Sequence, residues 1–145
     1  MSEERMSLFY ITDDASVADA SELRLPARPS KLGVAREYVH EAAAAFGFDA
    51  DRCYELAFAV NEAVTNAIRH GRPDAQGHIH LSVRAHGDLL TVAVRDYGTF
   101  VASAVGGAPT AESGRGFALM ARMMDAVQLC VSPGSTTVRL SKARV

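Results

Sequence analysis

The sequence predicts an α+β domain of two layers, with about three helices on one face of a mixed, mostly antiparallel sheet. Two pairs of strand-like runs are joined by tight turns, Gly87-Asp88 and Pro133-Gly134, which makes each pair antiparallel. Three separate stretches space their apolar residues for a helix. The order is strand, two helices, two strands, a loop, a helix and two strands. Helices stacked on one face of the sheet satisfy it.

With 145 residues, the chain is long enough for one domain with a real core. Its 48% hydrophobic and 22% charged content is that of a soluble globular protein. A net charge of −2 offers no basic face to offset phosphate charge, which excludes general nucleic-acid binding. Met1 to Arg24 lacks the basic and apolar regions of a signal peptide. No apolar run approaches the roughly 20 residues that cross a bilayer. A cytoplasmic protein without membrane contact is expected, and its two cysteines, Cys53 and Cys130, are expected to be buried and reduced.

Residues 1–20 are polar and acidic and read as a loose leader or an edge extension, leaving 21–145 as the single domain. Residues 22–25 alternate as a short strand, stopped by Pro26 and Pro29. Ser30 is placed to cap a helix carrying Leu32, Ala35, Val39, Ala42 and Phe46, which Gly47 ends. Asp49 or Asp51 caps the second helix, which runs through Arg69 and stops at His70-Gly71 before Pro73. Strands follow at 78–85, with Ile79, Leu81 and Val83 alternating, and at 89–95. A loop over 97–113 is long enough to be a functional lid. A third helix is expected over 116–127, with Met120, Met123 and Met124 filling gaps in the core. Strands at 127–132 and 136–140 close the chain.

On a helical wheel of the second helix, Cys53, Ala57, Val60, Val64, Ala67 and Ile68 form the core side. Glu62, Asn66 and Arg69 line the other, with Glu55 two turns earlier. A carboxylate and an amide one turn apart can serve one ligand: the acid takes a hydroxyl proton and the amide oxygen ligates a hard cation. Phe58, Ala59 and Thr65 flank that stripe, so it is covered or lines a pocket. Asp96 ends an apolar strand and is followed by Gly98. Such an acid can accept a hydrogen bond from the exocyclic amine of a heterocycle, and glycine permits close approach. Ser113-Gly114-Arg115-Gly116 opens the third helix, where free backbone N–H groups and the helix dipole favour an anion. It is neither a Walker loop nor a dinucleotide fingerprint, since Leu119 stands where the third glycine would be. His78 and His80 share a strand face without a third ligand, so zinc is not expected.

Together these segments resemble the GHKL-type ATPases, with the histidine-kinase-like fold, and among them the small anti-sigma serine/threonine kinases. Residues 61–71, reading NEAVTNAIRHG, match the family's N-box. Residues 95–98 match its Asp-x-Gly box, 113–117 (SGRGF) its second glycine box, and 134–140 (GSTTVRL) its terminal strand. The resemblance implies an ATP- and Mg²⁺-dependent protein kinase that phosphorylates an anti-anti-sigma partner and sequesters a sigma factor, as a homodimer. It implies Glu62 as general base, Asn66 as the Mg²⁺ ligand, and Asp96 with Gly98 at the adenine, Thr136 lying behind. Ser113, Gly114, Arg115, Gly116 and Phe117 would surround the phosphates. Arg36 would contact the protein partners. One position departs: relatives often carry an arginine before the Ser-Gly pair, where this chain has Glu112, so either Arg115 substitutes or transfer is slow. The alternative is a nucleotide-binding anti-sigma module without significant transfer.

Overall fold

The computed structural model describes the backbone of residues 6–10, 21–98 and 111–144, and side chains at 21–98 and 117–144. The lid expected within 97–113 lies largely outside the described residues. The elements are β1 (Met6–Tyr10), β2 (Ser21–Pro26), α1 (Leu32–Phe46), α2 (Ala50–His70), β3 (His78–His86), β4 (Leu89–Asp96), α3 (Ala111–Met123), β5 (Ala126–Ser132) and β6 (Ser135–Ala143). Among the described residues six strands form one sheet in the order β1-β5-β6-β4-β3-β2. β1 lies parallel to β5, and all other pairs are antiparallel. The expected mixed, mostly antiparallel sheet is what forms, and Met6–Tyr10 are its edge extension.

The core lies between the sheet and the helices. Ile79 and Leu81 of β3, Leu90, Val92 and Val94 of β4, and Leu140 of β6 face Val39, Leu56, Val60 and Val64 from α1 and α2. Their period-two spacing puts the alternate residues of each strand on the opposite face. Cys53 and Cys130 are both buried free thiols, and burial pushes their pKa values up.

Helix boundaries follow local chemistry where that chemistry is strong. Asp49 caps α2, its carboxylate accepting from the Arg52 N–H at 2.8 Å. α1 ends at Gly47, whose φ of 101° favours a residue without a side chain. Ser30 is not the cap of α1: it lies in a 3-10 turn, Pro29–Lys31, that leads directly into the helix. α3 departs most. It begins at Ala111 rather than Gly116, and it ends at Met123 because Ala126 and Val127 are taken into the β5–β6 ladder opposite Ser141 and Leu140. No helix among the described residues is long and apolar enough to cross a membrane.

Candidate functional site

α2 supplies the first wall. Its buried stripe is wider than the wheel suggested and includes Leu56, Ala59 and Ala63 beside Cys53, Val60, Val64 and Ala67, while Ala57 and Ile68 are only half-buried. Glu62 and Asn66 sit at the edge of that stripe, one turn apart and half-buried. Among the described residues neither side chain makes a hydrogen bond. Arg69 is exposed. Glu55 does not belong to the stripe's chemistry, because it pairs with Lys142 at 2.9 Å. Arg36 reaches from α1 to α2 and donates to Asn61 Oδ1 at 3.3 Å, one residue before Glu62.

The second wall is the end of β4. Asp96 is half-buried; its Oδ1 accepts the Gly98 N–H at 2.8 Å, and the Arg72 N–H gives it a second backbone bond. Burial pushes its carboxyl above the ordinary carboxylate range, with those two bonds opposing in part. Gly71, the C-cap of α2, faces this carboxylate directly. A Cβ there would lie 2.6 and 2.7 Å from the two Asp96 oxygens. A Cβ on Gly98 would lie 3.1 Å from the Arg72 nitrogen. The Tyr97 N–H closes the junction by donating to the Arg72 carbonyl at 2.7 Å.

Thr136 of β6 pairs across from Asp96 in the β4–β6 ladder, and its hydroxyl approaches the Gly98 carbonyl at 3.5 Å. The end of α2, the end of β4 and the start of β6 therefore meet at one corner. Asn66 and Glu62 precede Gly71 by about 7.5 and 13.5 Å along the helix axis, at 1.5 Å per residue, on the helix whose end abuts the half-buried Asp96 carboxylate.

α3 packs against α2. Ser113, Gly114, Arg115 and Gly116 fall inside its first turns rather than before it. The N–H groups of the first four residues of a helix have no intrahelical acceptor; those of Ser113 and Gly114 fall among these four, while those from Arg115 onward enter the ladder. Phe117 is 7% exposed and belongs to the hydrophobic core. Its side chain anchors α3.

Sequence reasoning missed the acid that occupies the two histidines. His80 Nε2 lies 2.8 Å from Asp74 Oδ2, and His78 Nδ1 lies 3.9 Å from Asp74 Oδ1. No group of three or more metal-ligating acids, histidines or cysteines occurs among the described residues. Asp74 stands beyond α2 in a turn with no motif of its own, so only the fold reveals the pairing.

A family model described as the histidine kinase-like ATPase domain matches residues 25–142. The serine-protein kinase RsbW of Bacillus subtilis (strain 168) is 34% identical over 82 residues, which cover 56% of this chain and 51% of that one. RsbW of Bacillus licheniformis is 30% identical over 138 residues, covering 86% of each chain. The match spans about half the length of the Bacillus subtilis relative. Among solved structures, a Mycobacterium tuberculosis protein containing RsbU and RsbW domains superposes with a TM-score of 0.67 at 21% identity. That match covers 86% of this chain and 32% of that one. At that identity the likeness is one of fold.

Proposed function

This chain belongs to the histidine kinase-like ATPase family, and from that premise we propose an ATP-dependent anti-sigma factor. In this reading it phosphorylates a serine or threonine of an anti-anti-sigma protein and sequesters a sigma factor by switching partners. The observation that carries the proposal is the corner where Gly71, Asp96, Gly98 and Thr136 meet, at the end of the helix bearing Glu62 and Asn66. The RsbW relatives, named as serine-protein kinases, support the reading.

Each residue's part follows from its chemistry. The Asp96 carboxylate accepts from the exocyclic amine of adenine, and Gly98 and Thr136 shape the floor beside it. The α3 N-terminus at Ser113 and Gly114, with Arg115, faces the phosphates. Asn66 offers a neutral oxygen, which would suit a hard cation such as Mg²⁺. Mg²⁺, when bound, would neutralise phosphate charge. Glu62 takes the proton of the partner's hydroxyl as that oxygen bonds to the γ-phosphorus and the bond to the ADP oxygen breaks. Arg36, exposed and anchored beside Glu62 through Asn61, is placed to touch the partner that delivers the hydroxyl. The kinase works as a cytoplasmic homodimer.

A second reading rests on Glu112. An acid where relatives often place an arginine favours a module that binds nucleotide and sigma factor without significant transfer. Incubation with γ-labelled ATP and the antagonist separates the two. Label on the antagonist that disappears with Glu62→Ala supports the kinase. Tight ATP binding with no label supports the binding module.

A further inference from the structure

Tyr97 stands between the two residues of the adenine corner, Asp96 and Gly98, just past the end of β4. Its side chain is held against His80 of β3. The hydroxyl lies 2.9 Å from His80 Nδ1, and the two rings meet edge to face with centroids 5.1 Å apart. The other nitrogen of His80, Nε2, lies 2.8 Å from Asp74 Oδ2. Arg95 covers the remaining face of the phenol, its guanidinium 5.4 Å from the ring centroid.

The direction of these bonds is set by donor supply. Asp74 already accepts the Gln76 and His78 N–H groups through Oδ1, each at 2.9 Å, and a carboxylate has no proton to give. Nε2 of His80 must therefore carry the hydrogen on the Asp74 side. In the neutral ring Nδ1 is then bare and accepts the Tyr97 hydroxyl proton. The chain runs from phenol to imidazole to carboxylate.

Both ends of Tyr97 are tied to one loop. Its backbone N–H bonds to Arg72, and its hydroxyl reaches Asp74 through His80. The same loop begins at Gly71, which presses on the Asp96 carboxylate, and its Arg72 N–H bonds to that carboxylate. We propose that Asp74, His80 and Tyr97 form a clasp that positions Asp96 and so sets the preference for adenine over guanine. Adenine presents an amine donor to a carboxylate at this place, whereas guanine presents an oxygen that the carboxylate repels. A carboxylate held at one angle enforces that difference, and one free to turn does not. His80 and Tyr97 act as positioning residues, touching no nucleotide. The inference rests on Asp96 being the adenine acid.

The test measures ATP and GTP binding directly, on the full chain, in four variants. Tyr97→Phe keeps the ring and its stacking but removes the hydroxyl. His80→Leu removes both links, and His80→Gln replaces them, since an amide can donate to Asp74 and accept from Tyr97. Tyr97→Phe and His80→Leu are expected to weaken ATP binding roughly three- to tenfold, the range for a lost hydrogen bond, while GTP binding changes little. His80→Gln is expected to restore most of the preference. Equal losses for ATP and GTP would mean a purely structural role and overturn the clasp, as would an unchanged preference in Tyr97→Phe. Should His80→Leu fail to fold, Tyr97→Phe and His80→Gln decide alone. Asp96→Asn separates the premise from the inference: unchanged ATP affinity there sinks the adenine reading. Lost affinity there beside an unmoved preference in Tyr97→Phe sinks only the clasp.

Discussion

Gly71 and Asp96 sit so close that no side chain fits between them: a Cβ at residue 71 would lie 2.6 and 2.7 Å from the Asp96 oxygens. The glycine is needed for space and not for backbone freedom, since its φ of −93° is open to any residue. An acid so confined on one side and bonded to the Arg72 and Gly98 N–H groups is held in one orientation.

Gly71→Ala must therefore displace the Asp96 carboxylate or the loop behind it. ATP affinity is expected to fall roughly tenfold or more, and stability by about 1–3 kcal/mol, the usual cost of overpacking. Isothermal titration with ATP and urea unfolding of the same preparation check both. Full ATP affinity in this variant would contradict a ligand role for the Asp96 corner.

Asp96→Asn separates function from stability. Burial raises the folded-state pKa of Asp96, so its contribution to stability is complete below the ordinary carboxylate value and is lost as pH rises through the folded value. At neutral pH the fold carries the cost of a confined charge. Removing the charge is expected to leave the melting temperature of the nucleotide-free protein unchanged or higher, while ATP binding collapses.

Asp74 has the opposite sign. The His78 backbone N–H first, and then the His80 side chain, hold its pKa at about 2 against an ordinary 3.8. The stability it contributes is present above the ordinary value and is lost as pH falls toward about 2. Urea midpoints measured from pH 6 down to 2 should drop for the wild type within that window and drop less steeply for Asp74→Asn.

Glu62→Gln keeps the size of the side chain and removes the base. Transfer to the antagonist is expected to slow roughly 10²–10⁴-fold with ATP affinity retained. Single-turnover assays beside equilibrium binding read the two effects separately. A transfer rate within twofold of wild type would remove Glu62 as base.

Lys142 is a buried cation, 8% exposed, that joins three elements: its ammonium donates to the Met123 carbonyl at the end of α3 at 2.6 Å and pairs with Glu55 of α2 at 2.9 Å. Removing only the acid strands the charge. Glu55→Ala, whose side chain is partly exposed, is expected to destabilise by about 1 kcal/mol, more than Lys142→Met, which replaces the ammonium with an apolar group of similar length. Chemical unfolding of both variants gives the comparison.

The sequence by itself determined most of the elements and the chemistry each could offer, but misplaced the cap of α1 and both ends of α3. Apolar spacing marked part of the core side of α2, Asp49 and Asp51 marked its start as alternatives, and Gly87-Asp88 marked the β3–β4 hairpin. Glu62 and Asn66 fell together because a turn of helix is a local repeat, and Asp96 was legible as the acid at the end of an apolar strand. The family's motifs then joined these pieces.

Only the tertiary structure decided which polar groups meet. Gly71 against Asp96, Thr136 opposite Asp96, Arg36 on Asn61, Asp74 on His80 and Glu55 on Lys142 join residues on different segments. The same is true of α3, whose last turn gives way to β5 because β6 offers it a ladder. Periodicity encodes the face a residue turns to the core, since that depends on neighbours within one or two turns. The partner it finds there depends on strand register and helix packing between distant stretches, which no local pattern records.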